Sequence, residues 1–320
     1  GNLTTIGVSA FETCAAFTGG LNIPDSVESV GRRAFYSCAG LTGKLHLSEK
    51  MTKIEKEAFQ SCNFTGSLSL PEGITSIGNG AFSGNAFSGE VIIPKTVKTV
   101  GGSVFSGCKN LESIVFGKQV ESIGSFPFRD CTGLKTMTFK GSTPPVIKYL
   151  VYFLGSSYGP AHLETIYVPE DALETYKDKW SSYAGGGVTF SSDFMTIKPG
   201  NLHTDYTFSH SVKLSWNTSV SERVEGYHIY RNGILAGTVK DTDFSEENLE
   251  MGSYLYEVEG YAKDIQTGEE TKTAKASLNV TLKVPEVEKI YTEYEGNKLC
   301  DEGSTLYASV EDAGNLGTKN

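Results

Sequence analysis

Hydrophobic positions in the first half of the chain recur as a fixed phrase rather than at a helical period. Phenylalanine stands at Phe11, Phe35, Phe59, Phe82, Phe105 and Phe128, spaced 24, 24, 23, 23 and 23 residues apart. Five residues before each is an aliphatic: Ile6, Val30, Ile54, Ile77, Val100 and Ile123. Glycine follows that aliphatic except at Glu55. Short alternating runs separate the phrases: LNIP from Leu21, LHLS from Leu45, LSLP from Leu68, VIIP from Val91, IVFG from Ile114 and MTFK from Met137. A period of this length marks a repeat array. One unit of about 23 residues is too small to bury its apolar face alone, so the units stack into a solenoid. The expected coil has a short strand in a parallel sheet on one side and a short helical or irregular turn on the other.

Alternation along each strand sends Leu21 and Ile23, or Ile114 and Phe116, into the core. The residue between faces outward on the concave sheet. The outward series is Asn22, His46, Ser69, Ile92, Val115, Thr138 and Tyr167. It is almost uncharged, small and hydroxyl-bearing, with an apolar middle. Two readings stand for it: a docking strip for a protein segment or glycan, and an ordinary solvated sheet surface.

Three residues after each phenylalanine come Cys14, Cys38, Cys62, Asn85, Cys108 and Cys131. Disulfide, metal site and structural column are the alternatives. No CxxC and no paired histidine accompanies the cysteines, so metal-ligand spacing is missing. Coils about 4.8 Å apart would bring neighbours such as Cys38 and Cys62 near enough to oxidise. The substitution of Asn for Cys in one unit fits a structural column. There a small inward group satisfies turn backbone in the next coil, and a buried thiol acts as a small hydrophobe with a weak donor. Cys300 lies outside this series.

The consensus L-x-x-I-x-[IVF]-P-x-x-V-x-x-I-G-x-x-A-F-x-x-C resembles the BspA-type leucine-rich repeat of bacterial surface proteins, over residues 1–183. LETIYVPEDALETYKDKW, Leu163 to Trp180, resembles that family's last repeat and capping helix. In that helix Asp171 is the expected N-cap with Glu174 three residues on, and Lys177 and Lys179 suit the last turn. Residues 141–162 lengthen one repeat and are expected to leave the solenoid. The chain opens inside a repeat, so an upstream strand or cap is expected.

The 23-residue period stops after Trp180. Residues 184–194 read as a linker. Residues 195–283 carry short alternating runs, VKLSW, GYHIYRNG, ILAGTV, YLYEVEGY and KASLNVTL, with Asn232-Gly233 as a hairpin signal. They predict an all-β immunoglobulin-like sandwich. The segment resembles a bacterial fibronectin type III domain. That resemblance implies a core role for Trp216, a strand with Tyr227 and Ile229 on one face and His228 and Tyr230 on the other, and a tyrosine corner at Tyr254. Residues 284–320 read as part of a further β-domain, a pairing strand or a tail.

Charge narrows the partners. The formal charge is −10. Residues 1–185 hold 16 Lys and Arg against 16 Asp and Glu, leaving 12 against 22 of the 28 and 38 for the remainder. No cationic footprint for nucleic acid exists. No apolar run approaches the ~18 residues of a membrane span, and no signal peptide is visible.

Chemistry is hard to find. Gly155 to Gly159, GSSYG, formally matches G-x-S-x-G, but Pro160 and the lack of a following helical period argue against a nucleophile elbow at Ser157, with His162 near only in sequence. DTDFSEENLE from Asp241 begins like a calcium loop yet lacks Gly at its sixth place, leaving a solvated acidic loop or a loose surface cation. The histidines at 46, 162, 203, 210 and 228 have no ligand spacing. No catalytic residue, metal or cofactor is expected.

The BspA-type resemblance implies a secreted or cell-surface, adhesin-like monomer that binds a host extracellular protein or glycan. A purely structural extracellular scaffold and an accessory module of a glycan-degrading system are the alternatives.

Overall fold

The computed structural model describes residues 3–149, 151–154, 159–184, 187–208, 210–263 and 267–283, plus short backbone stretches at 293–294 and 297–298. The fold divides into two units, residues 1–201 with 220–222, and residues 202–219 with 223–320.

The first unit is a β-solenoid. Its largest sheet is parallel, with strands β1 (Gly89–Ile93), β2 (Leu111–Phe116), β3 (Thr136–Phe139), β4 (Thr165–Tyr167) and β5 (Thr189–Ser191) in that order. Val91, Ile114, Met137, Ile166 and Phe190 stand in register along its inner face. The first four are fully buried. Leu21–Asn22 pairs with Leu45–His46 as a separate parallel ribbon of the same kind. Alternation is the reason: every second side chain must find apolar neighbours above and below, and only equivalent positions of adjacent coils supply them.

A second parallel ladder carries the aliphatic column. Thr5–Ile6 pairs with Ser29–Val30, Ile54 bridges Ile77, and Ser76–Ile77, Thr99–Val100, Ser122–Ile123 and Val146–Ile147 continue the series. The aromatic segments make a third ladder; of the expected helical or irregular turns they take the irregular form. Alternate peptide N–H groups reach the next coil: Ser9 to Arg32, Phe11 to Ala34 and Thr13 to Tyr36, at 2.7–2.9 Å. The N–H groups between them turn back three residues within the coil. This alternation puts the residues two before and two after each phenylalanine in the left-handed region, among them Arg33 (φ 56°), Glu57 (φ 57°) and Phe126 (φ 55°). Non-glycine residues pay for that conformation; the inter-coil hydrogen bonds hold them there.

The phenylalanines stack ring on ring along the axis. Centroids from Phe11 to Phe128 are 5.2, 5.7, 5.8, 5.6 and 6.1 Å apart, nearly parallel from Phe35 onward. Residues 141–162 leave the solenoid less than expected. Val146–Ile147 joins the second ladder, and Phe153, in the helical turn Val151–Leu154, is buried 5.9 Å from Phe128.

The array ends under the helix Leu173–Trp180, whose Tyr176 and Trp180 pack at 5.7 and 5.0 Å on Phe139. Asp171 is not its N-cap. The chain enters through the 3-10 turn Glu170–Ala172, and no side chain caps the helix. Glu174 pairs instead with Lys177 at 2.9 Å. Residues 184–194 also differ from the predicted linker: β5 lies within them and extends the solenoid sheet by one strand.

The second unit holds two antiparallel sheets. One contains β6 (His203–Phe208), β7 (Ser211–Ser215) and β10 (Asp243–Glu246). The other contains β8 (Gly226–Arg231), β9 (Ile234–Val239), β11 (Gly252–Lys263), β12 (Glu270–Lys272) and β13 (Ala276–Leu282). Val212, Leu214, Trp216, Tyr227, Ile229, Tyr256, Val258 and Val280 form one buried cluster drawn from both. Trp216 meets Tyr227 edge-on at 5.3 Å. The Tyr254 hydroxyl donates to the Glu250 carbonyl at 2.7 Å. Asn232 and Gly233, both at positive φ, make the β8–β9 turn. The sequence features from 284 to 320 lie outside the described side chains.

Candidate functional site

The Cys/Asn column faces inward and is bonded to backbone. The thiols of Cys38, Cys62, Cys108 and Cys131 donate to the carbonyls of Phe11, Phe35, Phe82 and Phe105, at 2.9, 2.8, 3.4 and 3.0 Å. The partner is thus in the preceding coil, not the next. Asn85 spans more: its amide donates to Phe59 and Phe82 carbonyls at 2.8 and 2.9 Å, and its oxygen accepts from the Phe64 N–H at 3.0 Å. Burial pushes the Cys62 and Cys108 thiols up to about 12 and raises those of Cys38 and Cys131 as well. A thiol kept protonated is a poor nucleophile and a poor metal ligand. All five cysteines from Cys14 to Cys131 are free.

The concave strip divides in two. Asn22, His46 and Ser69 are exposed, and Ile92 and Tyr167 are half-buried. Val115 and Thr138, expected on the open face, are only 2% and 3% exposed. A segment of the solenoid unit itself is anchored on either side of them. After β5, Asp193 caps a short 3-10 turn by accepting from the Met195 N–H at 3.1 Å. Thr196 then donates to the Tyr167 hydroxyl oxygen at 3.2 Å, on β4. Five residues later Asn201 reaches β1: it accepts from the Glu90 N–H at 2.6 Å and donates to the Glu90 carbonyl at 2.7 Å. Five extended residues span about 16 Å, and three strand spacings about 14 Å. The run therefore passes over the outward faces of β3 and β2, with Met195 and Pro199 buried beneath it.

Asn201 acts as an extra strand residue, its amide group mimicking a peptide on the sheet's edge. Gly89 makes room for it. Gly89 has φ +74°, and a Cβ there would stand 2.3 Å from the Asn201 Oδ1. Glu90 is buried beside the strap, and its carboxylate accepts from Ser113 at 3.4 Å. The open part of the concave face is therefore its first third, Asn22, His46 and Ser69, with exposed Lys44 and Ser67 beside them.

Sequence reasoning missed one further surface. A shallow groove of about 510 Å³ runs beside the aliphatic column, lined by the hydroxyls of Ser76, Thr99 and Ser122 with Lys53 and Lys148 at its ends. Its floor is close-packed backbone. A Cβ on Gly101 or Gly124 would lie 2.5 or 2.2 Å from backbone nitrogen of the preceding coil. The repeated aliphatic-glycine pair was the available signal.

The other sequence candidates do not assemble into a site. Ser157 lies outside the described residues. His162 bonds the Thr132 carbonyl at 2.7 Å. The Asp241 stretch is not a loop: β10 lies inside it and pairs with β7, so its side chains alternate between faces. Among the described residues no group of three or more His, Cys, Asp or Glu is placed to hold a metal, and no helix is long and apolar enough to cross a membrane.

The profile of the BspA type leucine rich repeat region matches six copies, over residues 4–135 and 88–167. The chain belongs to this family. The repeat chain also resembles a Niallia circulans protein named alpha-amylase, 40% identical over 112 residues, which are 31% of this chain and 9% of that protein. It therefore spans a small fraction of that relative's length. Among solved structures it resembles a leucine-rich repeat protein from Bacteroides ovatus, 22% identical over 59% of this chain and 55% of that one, with a TM-score of 0.42. The pneumococcal vaccine antigen PcpA is 22% identical over 54% and 41% of the two chains, with a TM-score of 0.44. A leucine rich cell surface protein from Faecalibacterium prausnitzii is 19% identical over 58% and 63%, with a TM-score of 0.30.

Proposed function

We propose that this repeat chain is a non-catalytic, adhesin-like binding module of a secreted or cell-surface protein. It presents the open third of its concave face to a host extracellular protein or glycan. The observation that carries the reading is the exposed series Asn22, His46 and Ser69, held on coils whose apolar columns are buried from Ile23 onward through Val27, Val30, Phe35 and Leu41. A fixed row of polar side chains binds with little ordering cost, because the backbone beneath it is already fixed. Membership of a repeat family whose members are typically surface-exposed supports the same reading.

The second unit serves as a spacer in this proposal, a fibronectin type III-like sandwich. Its support is the shared core around Trp216 and the Tyr254 hydroxyl bonded four residues back. A second reading makes the chain an accessory module of a glycan-degrading system, as a local match to a protein named alpha-amylase suggests.

A screen of the intact protein against host matrix proteins, mucins and a glycan array tests the proposal. The expected result is a ligand lost when Asn22, His46 and Ser69 are all changed to Asp. Binding only to starch-like glucans would favour the second reading, and binding that survives the triple change would remove the strip from the account.

A further inference from the structure

The groove beside the aliphatic column is built from rows that repeat once per coil. Ser76, Thr99 and Ser122 stand in register along it, one on each of three neighbouring strands of the second ladder. Thr99 is exposed and the two serines are half-buried. Among the described residues none of these three hydroxyls has a hydrogen-bond partner. The same row outside the groove behaves differently: the Ser29 hydroxyl donates to Thr5 at 3.2 Å. Past Lys56, Asn79, Gly124 and Lys148 the groove continues into a second trough of about 500 Å³. Asn79 stands between the two. Its oxygen accepts from the Gly102 N–H at 2.8 Å, and its amide nitrogen has no partner among the described residues. The glycines of the floor are explained by coil-to-coil packing and carry no part of the argument.

The two ends of the groove differ in charge. At one end Lys53 pairs with Glu55 at 2.6 Å and Lys56 with Glu57 at 3.2 Å, so those charges cancel. At the other end Lys148 is exposed, and no described carboxylate pairs with it. The charged residues lining the two troughs are thus three lysines against two glutamates, and the one uncompensated positive charge sits at Lys148. Its ammonium lies 5.5 Å from the centre of the Tyr149 ring, which is 57% exposed. That end offers a cation and an open aromatic face side by side.

We propose that this groove binds a linear acidic oligosaccharide, with one carboxylate-bearing sugar at Lys148 and Tyr149 and the following sugars laid along the hydroxyl row. From the coil of Ile54 to that of Ile147 the groove crosses four coil spacings, about 19 Å. A pyranose ring in an extended chain advances by about one such spacing, so each coil meets one sugar. Sugar hydroxyls donate and accept, as those of Ser76, Thr99 and Ser122 do. Lys148 gives the carboxylate a charge-assisted bond, and the Tyr149 ring gives the apolar side of the sugar a flat surface. An extended peptide does not match the site. It advances about 3.3 Å per residue, out of step with the coils, and strand addition needs a free ladder edge. Here the ladder is used up between coils: the Gly78, Gly101 and Gly124 N–H groups donate to the Ile54, Ile77 and Val100 carbonyls, each at 2.8 Å. The groove belongs to a different ladder from the concave strip, and its ligand is a separate molecule.

The test titrates the intact protein calorimetrically with hexasaccharides of hyaluronan, of polygalacturonate and of chitin, the last lacking carboxylates. The proposal predicts that an acidic hexasaccharide binds at least ten-fold more tightly than chitin. Lys148→Gln should weaken that binding about ten-fold, the worth of one charge-assisted bond, and Tyr149→Ala should weaken it as well. The Ser76→Asp/Thr99→Asp/Ser122→Asp variant should abolish it. Lys98→Gln is the control: Lys98 is exposed next to Thr99 in sequence, but it pairs with Glu121 at 3.7 Å and lies outside the groove, so its loss should leave the affinity nearly unchanged. Melting temperatures check each variant's fold, and Lys148→Gln, at an exposed position, still reads the site if the triple change disturbs the ladder. No binding of either acidic hexasaccharide at millimolar concentration overturns the proposal. So does chitin binding as tightly as they do, or an equal loss from Lys98→Gln and Lys148→Gln, which would reduce the effect to bulk charge.

Discussion

Replacing Asn201 by alanine should release the strap from the edge of the solenoid sheet without unfolding the coils. The side chain makes two hydrogen bonds to the backbone of Glu90, at 2.6 and 2.7 Å. Each contributes about 0.5–1.5 kcal/mol net, so the pair is worth about 1–3 kcal/mol. The freed Glu90 groups lie on the outer edge of β1, where water can replace Asn201, and this keeps the loss near the hydrogen bonds' net worth. A change of about 1–3 kcal/mol raises a local opening equilibrium about 5- to 150-fold. The assay is native-state hydrogen exchange, resolved at the Glu90 amide and at the amides of residues 194–198, 200 and 201. Both should exchange faster by that factor, while the amides of Phe35 and Phe59, inside the turn ladder, stay unchanged. A Val115→Cys probe should become alkylated faster in the Asn201→Ala background. If the Glu90 amide exchanges at the same rate in both proteins, the latch does not hold the strap. If Glu90 responds but the Val115→Cys probe does not, the strap is not what buries β2's outward face.

Other consequences follow from the columns. Phe82→Ala removes a fully buried ring between Phe59 and Phe105 and should cost about 3–5 kcal/mol in urea unfolding. Phe11→Ala, at the open end, should cost well under half as much; equal losses would refute the stacked order. Asn85→Leu leaves the Phe59 carbonyl and Phe64 N–H without their bonds and should destabilise by at least about 2 kcal/mol. The buried thiols make stability pH-dependent. Their folded values lie above the usual 9.0, so above pH 9 the unfolded chain ionises while the fold keeps its protons. Stability should fall between about pH 9 and 12, and Cys62→Ser with Cys108→Ser should flatten that fall in denaturant titrations.

The periodic layout was legible because each column reports one physical role in one residue type. Phe at 24, 24, 23, 23 and 23 residues, with an aliphatic five before and Cys or Asn three after, marked the inward faces and the register of six units together. The turn conformation was not legible. Arg33, Glu57 and Phe126 carry no glycine-like signal, and their left-handed φ is imposed by hydrogen bonds from neighbouring coils. The strap was hidden for a related reason. Asn201 and Glu90 are 111 residues apart, and Asn201 sits in a stretch that lacks the repeat phrase. Alternation therefore exposed Val115 and Thr138 correctly as outward residues but had no means of showing the segment laid across them. β5 escaped notice because GGGVTFSS has a strand's alternation without the rest of the unit.

Affinity of a screened ligand for three forms of the protein tests the binding proposal most directly. The forms are the intact chain, the Asn22→Asp/His46→Asp/Ser69→Asp variant, and a control with Ser76, Thr99 and Ser122 in the lateral groove changed to Asp. The account predicts at least a ten-fold loss for the concave variant and near-intact affinity for the groove control. Loss confined to the groove control, with the concave variant binding normally, would contradict it.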